Sequence, residues 1–420
     1  MFSPRLHAGL APPFRAPPPS DAVEDVVTEE AGFEVRSERH APQVEMLVEE
    51  GAAVAQGAAF ARMRDSPEIR LVAPMPARIG RVVAARGHRL TEAVLFHDAG
   101  GDIAEHSVEG TATEEGLRNL MLSAGVWPTL RRRPFGGLPA PGEVPAAIFV
   151  MASDTRPLSP DPRRAIRGRE EELSRGLHAL RRLTAGPVFL CRDGAVPILP
   201  GEGGVRPVRT GARHPQGLAG IWIHDLFPAR VEAPVWDIHV EDVADLGALL
   251  GTGVLPLRRL VRISGTALRK ERLVRSQPGA DLRGLVRRIV TPGPHVIWSG
   301  SPLDGRPAHW LGARDRQVTV TAREEEPPRG HWLVEALTRT ATPVPIIPTA
   351  ALDQAFGGVL PAAAFLRALS SGDDETAIRF GVLSLLEEDV ALADYVLGRD
   401  ADLPALLRGM LERIRTERVG

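Results

Sequence analysis

The stretch Ala146–Ala152, "AAIFVMA", carries no polar side chain, and it constrains the fold more tightly than any other segment. An uninterrupted apolar run of this kind suits a strand buried on both faces of a parallel sheet. From Asp161 the pattern turns helical in "DPRRAIRGREEELSRGLHALRRLTAG", with Pro162 near the start and Gly186 at the end. "PVFLC", Pro187–Cys191, then reads as the next strand. Strand, helix, strand in that order predicts parallel strands joined by crossover helices. "VWDIHVEDVADLGALLGTGV" repeats the idea, with a strand at 235–240 and a helix ending near Gly251. Upstream, "TEEGLRNLMLSAGVW" predicts a helix with a partial cap at Thr113 and with Glu114 and Glu115 in its first turn. One α/β domain over residues 111–256 accounts for all of these.

The flanks read differently. "LVEEGAAVAQGAAF" (47–60) and "RLVAPMPARIGRVV" (70–83) are spaced like the two halves of a biotinyl or lipoyl carrier domain. Such a domain presents a lysine on the hairpin between its halves. Here that hairpin is "ARMRDSPEI", and the chain's one lysine is Lys270. An amide-linked arm needs an ε-amine at the tip, so residues 25–110 predict a carrier-like barrel-sandwich domain without its cargo. Residues 1–24 form a Pro-rich lead-in, expected to lie extended across another surface. "RRLVRISGTALRKERLVRSQPGADLRGLV" places two strands around a Gly turn before a short helix, the order of a β-grasp domain, assigned to 257–325. The region 326–420 is expected to be helical, with three short amphipathic stretches from Pro361 to Leu397. The fold class is thus α+β multidomain.

The chemistry is bounded mostly by exclusion. With 51 basic and 53 acidic residues, the chain has no general electrostatic reason to bind nucleic acid. Its single cysteine, Cys191, rules out an iron–sulfur cluster on this chain and reads as a buried structural thiol. No signal peptide or membrane-spanning run is expected, since "VPAAIFVMA" is about half the length a spanning helix needs. "RPFGGLPAPG" and "GEGGV" lack the G-x-G-x-x-G context of a dinucleotide fingerprint. His214, His224 and His239 lack metal-ligand spacing, so satisfied imidazoles are the default. "LLEEDVAL" (385–392) reads as an acidic, solvated helix face. "RRRPF", Arg131–Phe135, is the most suggestive cluster: it could hold an anion, stack on a ring, pair with a partner's carboxylates, or simply be a solvated basic turn.

In their shared order, several motifs resemble one family along nearly the whole chain, the NqrA subunits of the Na⁺-translocating NADH:quinone oxidoreductase (NQR). They are "GLRNLMLSAGVWPTLRRRPFGGLPAPG", "AIFVMASDTRPLSPDP", "HPQGLAGIWIH", "RLVRSQPGADL" and "LLEEDVAL". The resemblance implies an α/β domain related to the flavin-bearing subunit of respiratory complex I, joined to an SLBB-like β-grasp domain. It further implies a peripheral subunit on the cytoplasmic face of the bacterial inner membrane, docked on membrane subunits, NqrB especially. Quinone reduction and Na⁺ export would belong to the assembled enzyme, with NADH and flavins on other subunits and no covalently bound cofactor here. Ubiquinone is the candidate ligand, and Arg131, Arg133, Phe135, Asp154 and Thr155 are the candidate contacts. His214 and His224 are motif residues without an assigned role, and no metal is expected. The sequence departs from the family at "VAQGA", at a shortened segment after "RQVTV", and at "LADYVLG", where the family tends to carry cysteines. A diverged, stand-alone quinone-binding or assembly protein is the alternative.

Overall fold

The computed structural model describes residues 6, 8–35, 41–194, 204–323, 346–399 and 401–419. The lead-in runs extended over the chain's own domains. Leu6 is buried, Leu10 exchanges backbone hydrogen bonds with His214 at 2.7 and 2.9 Å, and the Ser20 amide donates to Glu271 at 3.2 Å. Strand β1 (Val23–Asp25) then pairs in parallel with residues 273–275.

Seven strands follow: β2 (Glu30–Glu34), β3 (Val44–Met46), β4 (Ala53–Val54), β5 (Ala59–Met63), β6 (Arg70–Val72), β7 (Ala77–Ala85) and β8 (Arg89–His97). They form two sheets, ordered β2-β8-β7-β4 and β3-β5-β6, around one core that includes Ala61, Met75, Ile79 and Leu95. The turn between β5 and β6 holds Asp65, Ser66 and Glu68 where a carrier would present lysine.

The second unit contains α1 (Glu114–Ser123), β9 (Arg131–Arg133), β10 (Ala147–Ala152), α2 (Pro162–Ile166), α3 (Glu170–Leu180), β11 (Val188–Arg192), β12 (Val205–Arg209), α4 (Ala219–Leu226), β13 (Val235–His239) and α5 (Val240–Thr252). Thr113 caps α1 by accepting from the Gly116 amide at 3.1 Å. The sheet order is β12-β11-β10-β13-β9, parallel except for β9. The single helix expected between Asp161 and Gly186 is instead two, because Gly168 adopts φ +75° between α2 and α3. Helices α3 and α5 pack side by side with backbones nearly touching: a Cβ on Gly247 would collide with the Glu172 carbonyl, and one on Gly176 with the Val243 carbonyl.

The third unit holds β14 (Arg259–Ser264), β15 (Arg272–Ser276), α6 (Leu282–Val286), β16 (His295–Ser299), β17 (Arg306–Pro307) and β18 (Gln317–Ala322), in a sheet ordered β1-β15-β14-β18-β16-β17. It is bolted to the second unit by buried charges. Arg316 lies 2.9 Å from Glu241 and 2.7 Å from Asp242, both in the first turn of α5. Among the described residues, five helices follow: α7 (Ala350–Ala355), α8 (Ala362–Ser371), α9 (Asp374–Arg379), α10 (Glu387–Val396) and α11 (Leu403–Val419).

These last helices account for the uninterrupted apolar run of β10. Ile148, Val150, Leu190 and Trp236 face a core shared with α1, α3 and α5. Phe149, Met151, Phe189 and Cys191 point the other way, into a core shared with α4 and the C-terminal helices. Both faces of the central sheet are therefore covered, which an alternating polar strand could not satisfy. Among the described residues, no helix is long and apolar enough to cross a membrane. The "GEGGV" glycines Gly201–Gly203 and the shortened segment after "RQVTV" fall largely outside the described residues.

Candidate functional site at the carboxyl ends of the central strands

The chain leaves β10 and reaches β11 over one face through α3, then returns from β12 over the opposite face through α4 to β13, on the far side of β10. This reversal makes the carboxyl end of β10 a topological switch point, where open α/β sheets bind ligands. The loop there is Asp154–Thr155–Arg156. Asp154 accepts from the Arg156 amide at 3.0 Å and from its guanidinium at 2.6 Å. Arg156 also reaches Asp304 of the third unit at 3.4 Å. Thr155 Oγ1 accepts from the Gly217 amide at 2.7 Å and lies 3.2 Å from His214 Nδ1. Burial pulls the His214 imidazole down to about 4, against the opposing pull of Asp304 and Asp154, so it is neutral and its Nδ1 can accept the threonine proton. Gly217 cannot carry a side chain, since a Cβ there would strike the Asp154–Thr155 backbone.

Asp154 and Thr155 line a cleft of about 310 Å³, together with Ser20, Ser159, Arg163, Arg262 and Glu271. Its cations are matched by anions: Arg163 sits 2.6 Å from Asp161, and Arg262 sits 2.7 Å from Glu271. The cleft therefore offers hydroxyls and charge-balanced pairs around Pro19, Pro160 and Leu273. A weakly polar ring fits that lining better than a multiply charged anion.

Arg131, Arg133 and Phe135 are placed elsewhere. β9 pairs with β13, which sets Arg133 opposite Val235 and Arg131 opposite Asp237. The Arg133 side chain has 0% exposure and contacts Asp237 closely, with Glu388 at 3.0 Å and Asp389 at 3.4 Å. Arg131 lies 2.6 Å from Glu388 and 3.4 Å from Asp237. Phe135 is buried, and its carbonyl accepts from Arg408 at 2.9 Å. Arg131 and Arg133 are thus not a solvated turn; the carboxylates they meet come from β13 and α10 of the same chain. The acidic face expected to be solvated is correspondingly overturned for Asp389, which is fully buried and also accepts from the Leu386 amide at 2.8 Å.

The two clusters titrate in opposite senses. Burial, aided by Glu388 and opposed by Arg133 and Arg131, pushes the Asp389 carboxyl up to about 7. An unfolded aspartate titrates near ~3.9. The contribution of Asp389 to stability is therefore full below about pH 4 and is lost as pH rises through about 7. His214 does the reverse: its contribution is full above about 6.5 and is lost as pH falls toward about 4. Asp389→Asn removes the contribution that offsets His214. That variant is expected to lose stability more steeply than the parent between pH 7 and pH 5, read as the urea midpoint at each pH.

His224 ends α4 with its ring against Gly381, and it shares no ligand set with His214. Among the described residues, no group of three His, Cys, Asp or Glu side chains is placed to hold a metal. Burial pushes the Cys191 thiol up, away from nucleophilic character. Sequence reasoning missed Arg156, Asp304 and Asp237. Only Asp237 left a readable signal, as the lone acid in the buried strand "VWDIH".

The second unit coincides with a known family: a model described as the NqrA second alpha/beta domain matches residues 112–255. Along its length the chain is 31% identical to the NqrA protein of the Na⁺-translocating NADH-quinone reductase from Teredinibacter turnerae, over 98% of this chain and 99% of that one. The chain belongs to the NqrA family. The NqrA protein of Pseudomonas aeruginosa strain UCBPP-PA14 is 32% identical over 90% of this chain and 92% of its own. That of Actinobacillus pleuropneumoniae serotype 5b is 30% identical over 89% and 90%. As an NqrA homologue, the chain is a component of a translocase-type complex. The buried Arg133 clamp and the Asp154 cleft are thus features of an NqrA scaffold.

Proposed function

We propose that this chain is the peripheral subunit of a bacterial inner-membrane NADH:quinone oxidoreductase coupled to Na⁺ export. In this reading it sits on the cytoplasmic face, docks on the membrane subunits, above all NqrB, and supports quinone reduction and assembly without a redox centre of its own. NADH oxidation and the flavins belong to other subunits. The observation that carries the reading is similarity to NqrA over 98% of the chain, and not over one domain alone.

The two-sheet unit of residues 25–110 is read as a barrel-sandwich hybrid kept for its shape, since its β5–β6 turn offers no lysine. Residues 111–256 are the α/β domain, 257–325 an SLBB-like β-grasp domain, and 326–420 the C-terminal helical region. Ubiquinone is the proposed substrate of the switch-point cleft. There Pro19, Pro160 and Leu273 flank the ring, while His214 and the Asp154 carbonyl hold the Thr155 and Ser159 hydroxyl protons and Asp154 fixes Arg156. Arg131, Arg133 and Phe135 act at one remove, holding α10 and α11 onto the edge of the sheet.

The test is purification of the tagged chain from its own detergent-solubilised membranes, with NADH:quinone reductase activity assayed with and without Na⁺. Co-purifying membrane subunits with Na⁺-stimulated activity are expected. A chain that stays alone would replace this reading with that of a stand-alone binding or assembly protein. In the assembled enzyme, Asp154→Asn is expected to raise KM for ubiquinone about tenfold, the scale of one charge-assisted contact. An unchanged KM would remove quinone from this cleft.

A further inference from the structure

A second cleft, of about 630 Å³, opens on the third unit between α6 and β16. Its volume lies in the range of small-molecule sites, roughly 300–1,000 Å³. Val286, Val290, Ile297 and Ala308 give it an apolar lining, and Arg283, Arg287 and Arg323 bring three guanidiniums to it. The lining holds one carboxylate, Glu34, which is engaged by His309 Nδ1 at 3.4 Å.

Some surface arginines elsewhere take carboxylates, as the half-buried Arg62 does with Glu45 at 2.8 Å and the exposed Arg413 with Asp374 at 2.7 Å. Among the described residues, no acceptor meets the Arg283, Arg287 or Arg323 side chain. Arg283 and Arg287 are four residues apart on one face of the α6 turn, a like-charge spacing that is unfavourable without an anion between them. Unpaired cations beside an apolar lining match a ligand with both characters.

We propose that this cleft binds an amphipathic organic anion, with a carboxylate or phosphate on Arg283, Arg287 and Arg323 and an apolar body along Val290, Ile297 and Ala308. The site is separate from the switch-point cleft and does not depend on the quinone reading.

Calorimetric titration of the full chain with decanoate below its micelle concentration tests it. One saturable site is expected. Arg283→Ala/Arg287→Ala should weaken it by about tenfold or more, with an unchanged melting temperature because neither side chain has a partner to lose. Ala308→Trp, which fills the cleft and keeps the charges, should abolish binding. Equal decanoate affinity in the parent and both variants would overturn the proposal. So would inorganic phosphate binding as tightly as decanoate, which would leave the apolar lining without a role. Ubiquinone-1 competing for the site with no dependence on the arginines would assign it to a neutral ring, and would likewise overturn it. Binding to phosphatidylglycerol vesicles without binding to decanoate would make the patch a membrane contact, with the same consequence.

Discussion

Replacing Arg133 with alanine is expected to destabilise the chain by about 3–5 kcal/mol, the scale for breaking a buried ion pair from one side. The cause is what remains behind. Asp237 and Asp389 stay buried, and Glu388 half-buried, around an empty volume, with Arg131 and the more distant Arg314 to oppose their charge. Arg133→Lys should recover little, because one ammonium cannot reach three carboxylates as the planar guanidinium fork does. The double variant Arg133→Ala/Asp237→Ala should cost less than the sum of its singles, since it removes a cation and an anion together. Urea unfolding of the parent, the two singles and the double measures this coupling. Strict additivity would mean that the cluster does not act as a unit.

Gly247→Leu is expected to be nearly as damaging by an unrelated route. Its Cβ would collide with the Glu172 carbonyl of the neighbouring helix, and the larger side chain has no direction in which to relax. Overpacking of a tight crossing costs about 1–3 kcal/mol. The upper end applies here because the obstacle is backbone on a helix that itself packs on the sheet. The α3–α5 crossing must widen, which loosens the core around Trp236 and Leu177. Loss of near-ultraviolet dichroism with retained helical signal would report this. A native near-ultraviolet spectrum with an unchanged melting temperature would mean that the helices can slide apart freely.

What the sequence disclosed follows from how local each signal is. The strand at Ala146–Ala152 was legible because burial on both faces leaves an unbroken apolar run. Strands β11 and β13 and helix α5 carried their own punctuation, although α5 runs past the end expected near Gly251 to Thr252, with Gly253 as its left-handed cap. The break at Gly168 was not legible, because one positive φ angle inside a charged, helix-favouring stretch changes no periodicity. The Arg133–Glu388 contact joins residues 255 positions apart, and an acidic helix face looks the same in sequence whether water or arginine covers it. The candidate residues likewise divided according to tertiary placement. Asp154 and Thr155 lie on a strand-end loop and line a cleft, whereas Arg131 and Arg133 lie on an edge strand that the C-terminal helices cover.

The extended lead-in has a consequence for the order of assembly. The Ser20 amide finds its acceptor 251 positions later, and Leu6 packs beside Gly357. During synthesis the stretch must wait for more than half of the chain before any of these places exists. An extended segment left waiting is a template for stray strand pairing. Pro12, Pro13, Pro17, Pro18 and Pro19 offer no amide proton to such pairing, so the same residues that hold the segment straight also keep it from recruiting neighbours. The strap is chemically quiet until the domains it crosses have formed.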